Sequence, residues 1–297
     1  MWIKESGALG ESVVQLSTVV GSHYLIVGAG VALVDSGVDA ITPRLISEIE
    51  RCLGNETGLD FVFVTHAHFD HVGGIPALRK RWPNLEVFGA PATPQLLSNP
   101  EQKKQLWEKN LACCKAFDVE PNISESEFYE GVKIERIVGD GDVIEMGGDV
   151  EVKLIACPGH TEDSVAYFVK PDQALIGGES VGSYRGRDQM TPCFASNYTQ
   201  YMESLDRLSA LEIRILGTPH SGALTGELVS KYFTQSKGEA EQFCKQVKER
   251  IEQGELVDEI CSSILPDWRA QNICPEGPFV AEQESSLLAM IRAAAAA

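Results

Sequence analysis

Short apolar runs bounded by turn residues dominate most of the chain and give way to helical spacing towards its end. Residues 13–20, 24–27 and 31–34 are rich in Val, Ile and Leu and are separated by Gly-containing turns, the pattern of a β-meander. Pro43 opens a helix predicted to run to Leu53. Residues 60–64 predict a short strand that runs straight into a group of histidines, and residues 75–82 predict the helix behind it. After a further strand at 85–89, residues 95–117 are polar enough to predict an exposed helical insertion that would cover a site entrance. A second run of strands is expected at 133–138, 150–156, 165–169 and 174–176, each bounded by Gly, Pro or Asp.

From Gly226 onward the strand signal stops. Val229, Tyr232, Phe233, Phe243, Val247 and Ile251 recur at helical spacing, and residues 256–265 and 285–291 continue in the same way. The chain therefore divides into a β-rich domain at 1–225 and a helical appendage at 226–297, which would cap a site, form a homodimer contact, or both. The closing run Ala293 to Ala297 is expected to fray. Two β-rich layers separated in sequence by helices predict an α/β fold of four layers, αββα.

Charge narrows the partners. With 25 Lys and Arg against 43 Asp and Glu, the formal net charge of -18 repels polyanions, so nucleic acid is a poor candidate and a small molecule the better one. Residues 1–7 have neither the basic start nor the apolar stretch of a signal peptide, and no apolar run approaches membrane-spanning length. No membrane partner is expected, and a cytoplasmic protein is. The eight cysteines lie without metal-binding spacing and would be mostly free thiols in a reducing compartment.

Five of the six histidines fall in three segments of one type: His66, His68 and His71; His160 in Cys157-Pro158-Gly159-His160-Thr161; and His220 in Thr218-Pro219-His220-Ser221-Gly222. Each segment follows an apolar strand and breaks at Gly or Pro, the sequence form of a site assembled at strand ends. In extended chain His66, His68 and Asp70 share a face and His71 takes another, so one loop can feed two neighbouring metals. Imidazoles and carboxylates suit zinc, iron, manganese or nickel, and an incomplete protein ligand set marks a catalytic site. His23, just before a strand, reads as a hydrogen-bonded core residue.

His-x-His-x-Asp-His, followed by Gly-His-Thr and later by Pro-His, resembles the metallo-β-lactamase superfamily over residues 10–225. The resemblance implies a first metal on His66, His68 and His160 and a second on Asp70, His71 and His220. Asp35, in Val34-Asp35-Ser36-Gly37, matches that family's early Asp-x-Gly and would orient a ligand histidine from behind. Where the family has Gly-Asp with a carboxylate bridging both metals, this chain has Gly178-Glu179; Glu179 would bridge on its longer arm or bind one ion. Two divalent ions are implied, zinc first, with iron or manganese as alternatives. They lower the pKa of water toward ~7, so that hydroxide exists at neutral pH to attack an ester or thioester carbonyl. Asp70 would orient it or pass its proton to the leaving group.

The helical C-terminus and the stretch Tyr201-Met202-Glu203-Ser204-Leu205-Asp206-Arg207-Leu208 resemble the PqsE-like and glyoxalase II-like thioesterases within the superfamily. Tyr184, Arg185, Arg187 and Tyr198, in the Gly- and polar-rich segment 181–198, are expected to contact substrate. Two other readings remain open from the sequence. One is a persulfide dioxygenase-like oxidoreductase with one iron on His66, His160 and Glu179; the other is a regulatory protein acting through its helical tail, with hydrolysis incidental.

Overall fold

Neighbouring strand residues look into different apolar layers. Tyr24, Ile26, Ala32 and Val34 share one cluster, while Leu16, Leu25 and Leu33 belong to another. Side chains alternate across a strand, so a sheet buried on both faces needs a layer on each side. In the computed structural model, which describes residues 1–18, 21–54, 58–186, 189–271 and 280–297, the chain supplies those layers.

Two seven-stranded sheets pack face to face. The first runs in the order Gly7–Ala8, Val13–Thr18, Gly21–Val27, Val31–Val34, Phe61–Phe63, Glu86–Gly89 and Arg136–Ile137. The second runs Trp2–Ile3, Gly222–Thr225, Ile215–Thr218, Ala174–Ile176, Val165–Lys170, Glu151–Ala156 and Val143–Glu145. Between them lies a cluster that includes Phe63, Phe88, Leu154, Tyr167 and Ile215. On the outer face of the first sheet, Val62, Val64 and Val87 pack with Leu45, Ile75, Leu78, Trp107 and Phe128 from helices. On the outer face of the second, Ile155, Leu175 and Leu216 pack with Tyr201, Leu205, Tyr232, Phe243, Ile260 and Ile291. These are the four αββα layers that the strand pattern predicts.

Several boundaries differ from expectation. Of residues 133–138 only Arg136–Ile137 is a strand, and it pairs in parallel with Glu86–Gly89 at the edge of the first sheet, so it does not open the second. The stretch 95–117 is two helices, Thr93–Ser98 and Pro100–Ala116, and it is not an exposed cover. Leu106, Trp107, Asn110, Cys113 and Cys114 of the longer one are buried. Asn110 Oδ1 accepts from the Asp39 N–H at 2.9 Å, and a Cβ on Gly73 would meet that amide at 2.4 Å. The helix therefore backs the histidine loop from beneath.

The tail Glu227–Glu252, Val257–Ala270 and Val280–Ala295 is helical as its spacing predicts, with Val229, Tyr232, Phe233, Phe243 and Val247 buried. The closing alanines hold the helix as far as Ala295, with Ala293 and Ala294 buried in the same cluster as Tyr201 and Phe243, which fits the strong helix propensity of alanine, while Ala296 and Ala297 lie past its end and are exposed. Cys52, Cys113, Cys114, Cys157 and Cys244 are free thiols, and Cys274 lies outside the described residues. No helix among the described residues is long and apolar enough to cross a membrane.

Candidate metal centre

Strand direction brings the histidine segments to one edge of the sandwich. Val31–Val34 and Phe61–Phe63 are parallel, so Asp35 and the loop from Thr65 leave the first sheet at the same end. Ala174–Ile176 and Ile215–Thr218 are also parallel, and Glu151–Ala156 shares their direction through two antiparallel steps. Glu179, His220 and His160 therefore leave the second sheet together. The sheets are tied at this edge, where the Val165 N–H donates to the Thr65 carbonyl at 2.9 Å and the Tyr167 O–H to the Val64 carbonyl at 2.8 Å.

After Phe61–Phe63 the chain runs through bends at Thr65 and Ala67 to His68, whose backbone is extended, and then turns into a single helical turn, Phe69–Val72. That change of period separates the ligands. His66 Nε2 and His160 Nε2 lie 2.9 and 3.2 Å from His68 Nδ1. Three nitrogens at this spacing fit one tetrahedral ion, which with bonds of 2.0–2.1 Å would hold them about 3.3 Å apart. Their far sides set the tautomers. Nδ1 of His160 faces the Cys193 carbonyl at 2.6 Å and Nδ1 of His66 the Thr65 hydroxyl at 3.1 Å, so each Nε2 keeps its lone pair for a cation. Burial holds all three imidazoles neutral: His66 lies well below its ordinary value, His68 is lowered to about 3, and His160 is lowered.

The second donor set is Asp70, His71, Glu179 and His220, whose ligand atoms all lie within 4.8 Å of one another. Glu179 Oε1 is 2.8 Å from His220 Nε2, while its Oε2 is 3.2 Å from His71 Nε2 and 3.7 Å from His66 Nε2. The longer arm thus faces both sets. Asp70 Oδ2 stands 3.5 Å from His220 and 3.7 Å from His71. Burial would lower the His71 imidazole, but the carboxylates of Glu179, Asp35 and Asp70 outweigh it and lift the group well above its ordinary value. His220 is raised in the same way against burial, chiefly by Glu179. The set attracts positive charge where the first set offers lone pairs.

Two observations show that the residues fit metal ions. His71 Nε2 and Glu179 Oε2 are buried without a hydrogen-bond partner, although such atoms are normally paired. The donors are nitrogens and carboxylate oxygens, the set that borderline divalent ions prefer. The open side is marked by His68 and Asp70, both half-buried, and by the His220 side chain, which is 40% exposed. A chelator is expected to destabilise the metal-loaded protein. At a free-ion level 1,000-fold above Kd, bound metal adds about 4 kcal/mol, a change in thermal midpoint on the order of 10 °C. Melting curves with and without chelator check this; an unchanged midpoint argues against bound metal.

Asp35 sits behind the centre in left-handed backbone, φ 60. Its carboxylate accepts from the Thr65 N–H and O–H, both at 2.8 Å, and faces His71 Nδ1 at 2.8 Å. His23 is buried, with Nδ1 3.3 Å from the Asp35 carbonyl, and lines a cleft with Asp70, His71 and His220.

The expected substrate residues do not share one environment. Tyr184 is 4% exposed, its ring against Trp2 and Tyr232 in the apolar cluster under the C-terminal helices, which leaves it no surface for a substrate. Tyr198 begins the helix Tyr198–Ser209 and stacks on Phe194. Arg185 is exposed, with Nε 3.3 Å from Thr191 Oγ1, and Arg187 lies outside the described residues.

Asp163 is a site residue that the sequence reading missed. It is 2% exposed, and its Oδ2 accepts from the Ala67 N–H and the Thr93 hydroxyl while Oδ1 accepts from Thr161, so it joins the loop of His66 and His68 to that of His160. Its signal was an acidic residue three positions after His160, at the start of an apolar strand.

Residues 17–220, more than half of the chain, match the family model described as the Metallo-beta-lactamase superfamily, and the chain belongs to that superfamily. A metallo-beta-lactamase fold-containing protein, ST1585 of Sulfurisphaera tokodaii, is 28% identical over 60% of this chain and 66% of its own length. A hydroxyacylglutathione hydrolase of Photobacterium profundum is 30% identical over 52% of this chain and 44% of its own. In both, the match spans less than two thirds of the relative. Among solved structures, the metallo-beta-lactamase family protein TTHA1429 of Thermus thermophilus covers 95% of this chain and 93% of its own at 17% identity, with a TM-score of 0.65, a likeness of fold.

Proposed function

We propose that this protein is a metal-dependent hydrolase that cleaves an ester or thioester of a small molecule. One observation carries the reading: two donor sets from distant segments meet at one edge, with Glu179 facing both. The hydroxyacylglutathione hydrolases among the relatives carry a thioesterase name, which favours thioesters within that class.

Bound divalent ions would supply a Lewis acid for a carbonyl oxygen and lower the pKa of water toward ~7. The chain supplies the rest. Asp35 fixes the ring of His71, and the Cys193 carbonyl that of His160, so the donors are held before substrate arrives. Asp70, half-buried on the open side and within 3.5 Å of His220, is placed to accept a hydrogen bond from a water and to hand its proton to a leaving group. A thiolate leaves more readily than an amide nitrogen, which again favours thioesters.

The test is elemental analysis of protein purified without added metal, together with a panel of thioesters, esters, lactones and phosphodiesters. Two equivalents of metal with thioester or ester hydrolysis are expected. One iron, no hydrolysis, and oxygen consumption with a persulfide would replace this reading with a dioxygenase.

A further inference from the structure

Trp2 reaches both segments that carry the outer donors of the acidic set. Its indole Nε1–H donates to the carbonyl of Ser221, the residue after His220, at 2.5 Å. His220 itself stands in left-handed backbone, φ 58, which costs a non-glycine residue roughly 1 kcal/mol or more. Such a turn needs ties from outside. The Tyr24 O–H donates to the Thr218 carbonyl at 3.0 Å, and the strand Trp2–Ile3 pairs with Leu224 and Ala223 just beyond the turn.

The other side of the indole faces the second segment. The ring meets Tyr184 edge to face with centroids 5.0 Å apart, and it lies so close to Gly186 that a Cβ there would come within 2.8 Å of it. Tyr184 and Gly186 belong to Ser183–Gly186, the strand that follows directly on the turn Gly178–Val181 bearing Glu179. One side chain therefore spans the His220 turn and the Glu179 segment, whose donor atoms are 2.8 Å apart.

We propose that Trp2 is a positioning residue for the acidic donor set, clamping the His220 turn to the Glu179 segment at the spacing a second divalent ion requires. The proposal rests on the two-ion reading given above. His66, His68 and His160 come from other segments, so the clamp bears chiefly on the second ion and reaches the first only through Glu179 Oε2, 3.7 Å from His66 Nε2.

The test is a cobalt(II) titration of metal-stripped wild type and Trp2→Phe, followed by absorption and by the two stepwise dissociation constants. Phenylalanine keeps a ring against Tyr184 and the backbone pairing but has no N–H for Ser221. The first step is expected to be unchanged, and the second weakened by about 10-fold or more with an altered spectrum. Ile3→Val, on the same strand, is the control: it should lower the thermal midpoint slightly and leave both constants as in wild type. A second constant in Trp2→Phe within about twofold of wild type, or an equal loss in Ile3→Val, would overturn the proposal alone. Wild type binding fewer than two ions would overturn the two-ion reading and the proposal with it.

Discussion

His68→Ala is expected to lose one ion and to lower hydrolysis of an ester or thioester by about 10²- to 10³-fold, as removal of a principal electrostatic element does. The reasoning starts from its place: His68 Nδ1 is the atom that both His66 Nε2 and His160 Nε2 approach, so without it the remaining pair cannot enclose a cation. His68 is also half-buried, and its ring lies beside other imidazoles at the open side of the centre, away from the apolar layers. Truncation there should cost little fold stability, so the melting curve of the metal-free variant should overlay that of metal-free wild type. Metal content by elemental analysis and initial rates on the best substrate of the panel check the prediction. Full activity with one ion missing would sink the two-ion reading. If the protein acts through its helical tail instead, the same variant would lose hydrolysis and keep its biological effect.

Asp35→Ala is expected to produce the largest loss of stability, on the order of 3–5 kcal/mol. The carboxylate accepts two hydrogen bonds from Thr65 and faces His71 Nδ1, all of them buried. Its removal strands donors where water cannot reach. Alanine also fits the left-handed backbone at φ 60 less well than aspartate, whose short polar side chain bonds locally. Urea unfolding of metal-free protein measures the change, and a loss under about 1 kcal/mol would show that Asp35 is not holding the loop. Asp35→Asn, which keeps one accepting oxygen and tolerates this backbone, should lie between the two.

The donor-bearing segments were legible because their chemistry is local. Three imidazoles and a carboxylate within a few residues of a strand end have few other uses, and the strands around them keep the period of two that a buried sheet imposes. What could not be read depended on contacts distant in sequence. Trp2–Ile3 finds its partner at Gly222–Thr225, and Asp163 bonds Thr93 and Ala67; neither pairing leaves a periodic trace. Tyr184 sits in a polar, Gly-rich stretch that locally reads as a surface loop, yet helix Glu227–Glu252 covers it and makes it core. The helix Pro100–Ala116 misled in the same direction, since its many charges conceal one face built of Leu106, Trp107, Asn110 and Cys113.

Neither half of the sandwich owns a complete cage. His66 and His68 hang from one sheet and their companion His160 from the other; Asp70 and His71 likewise wait for Glu179 and His220. An ion captured here acts as a rivet through the seam. A chain cut between the sheets into two fragments would grip metal far more weakly in either piece than when the pieces met, and metal would in turn report their meeting.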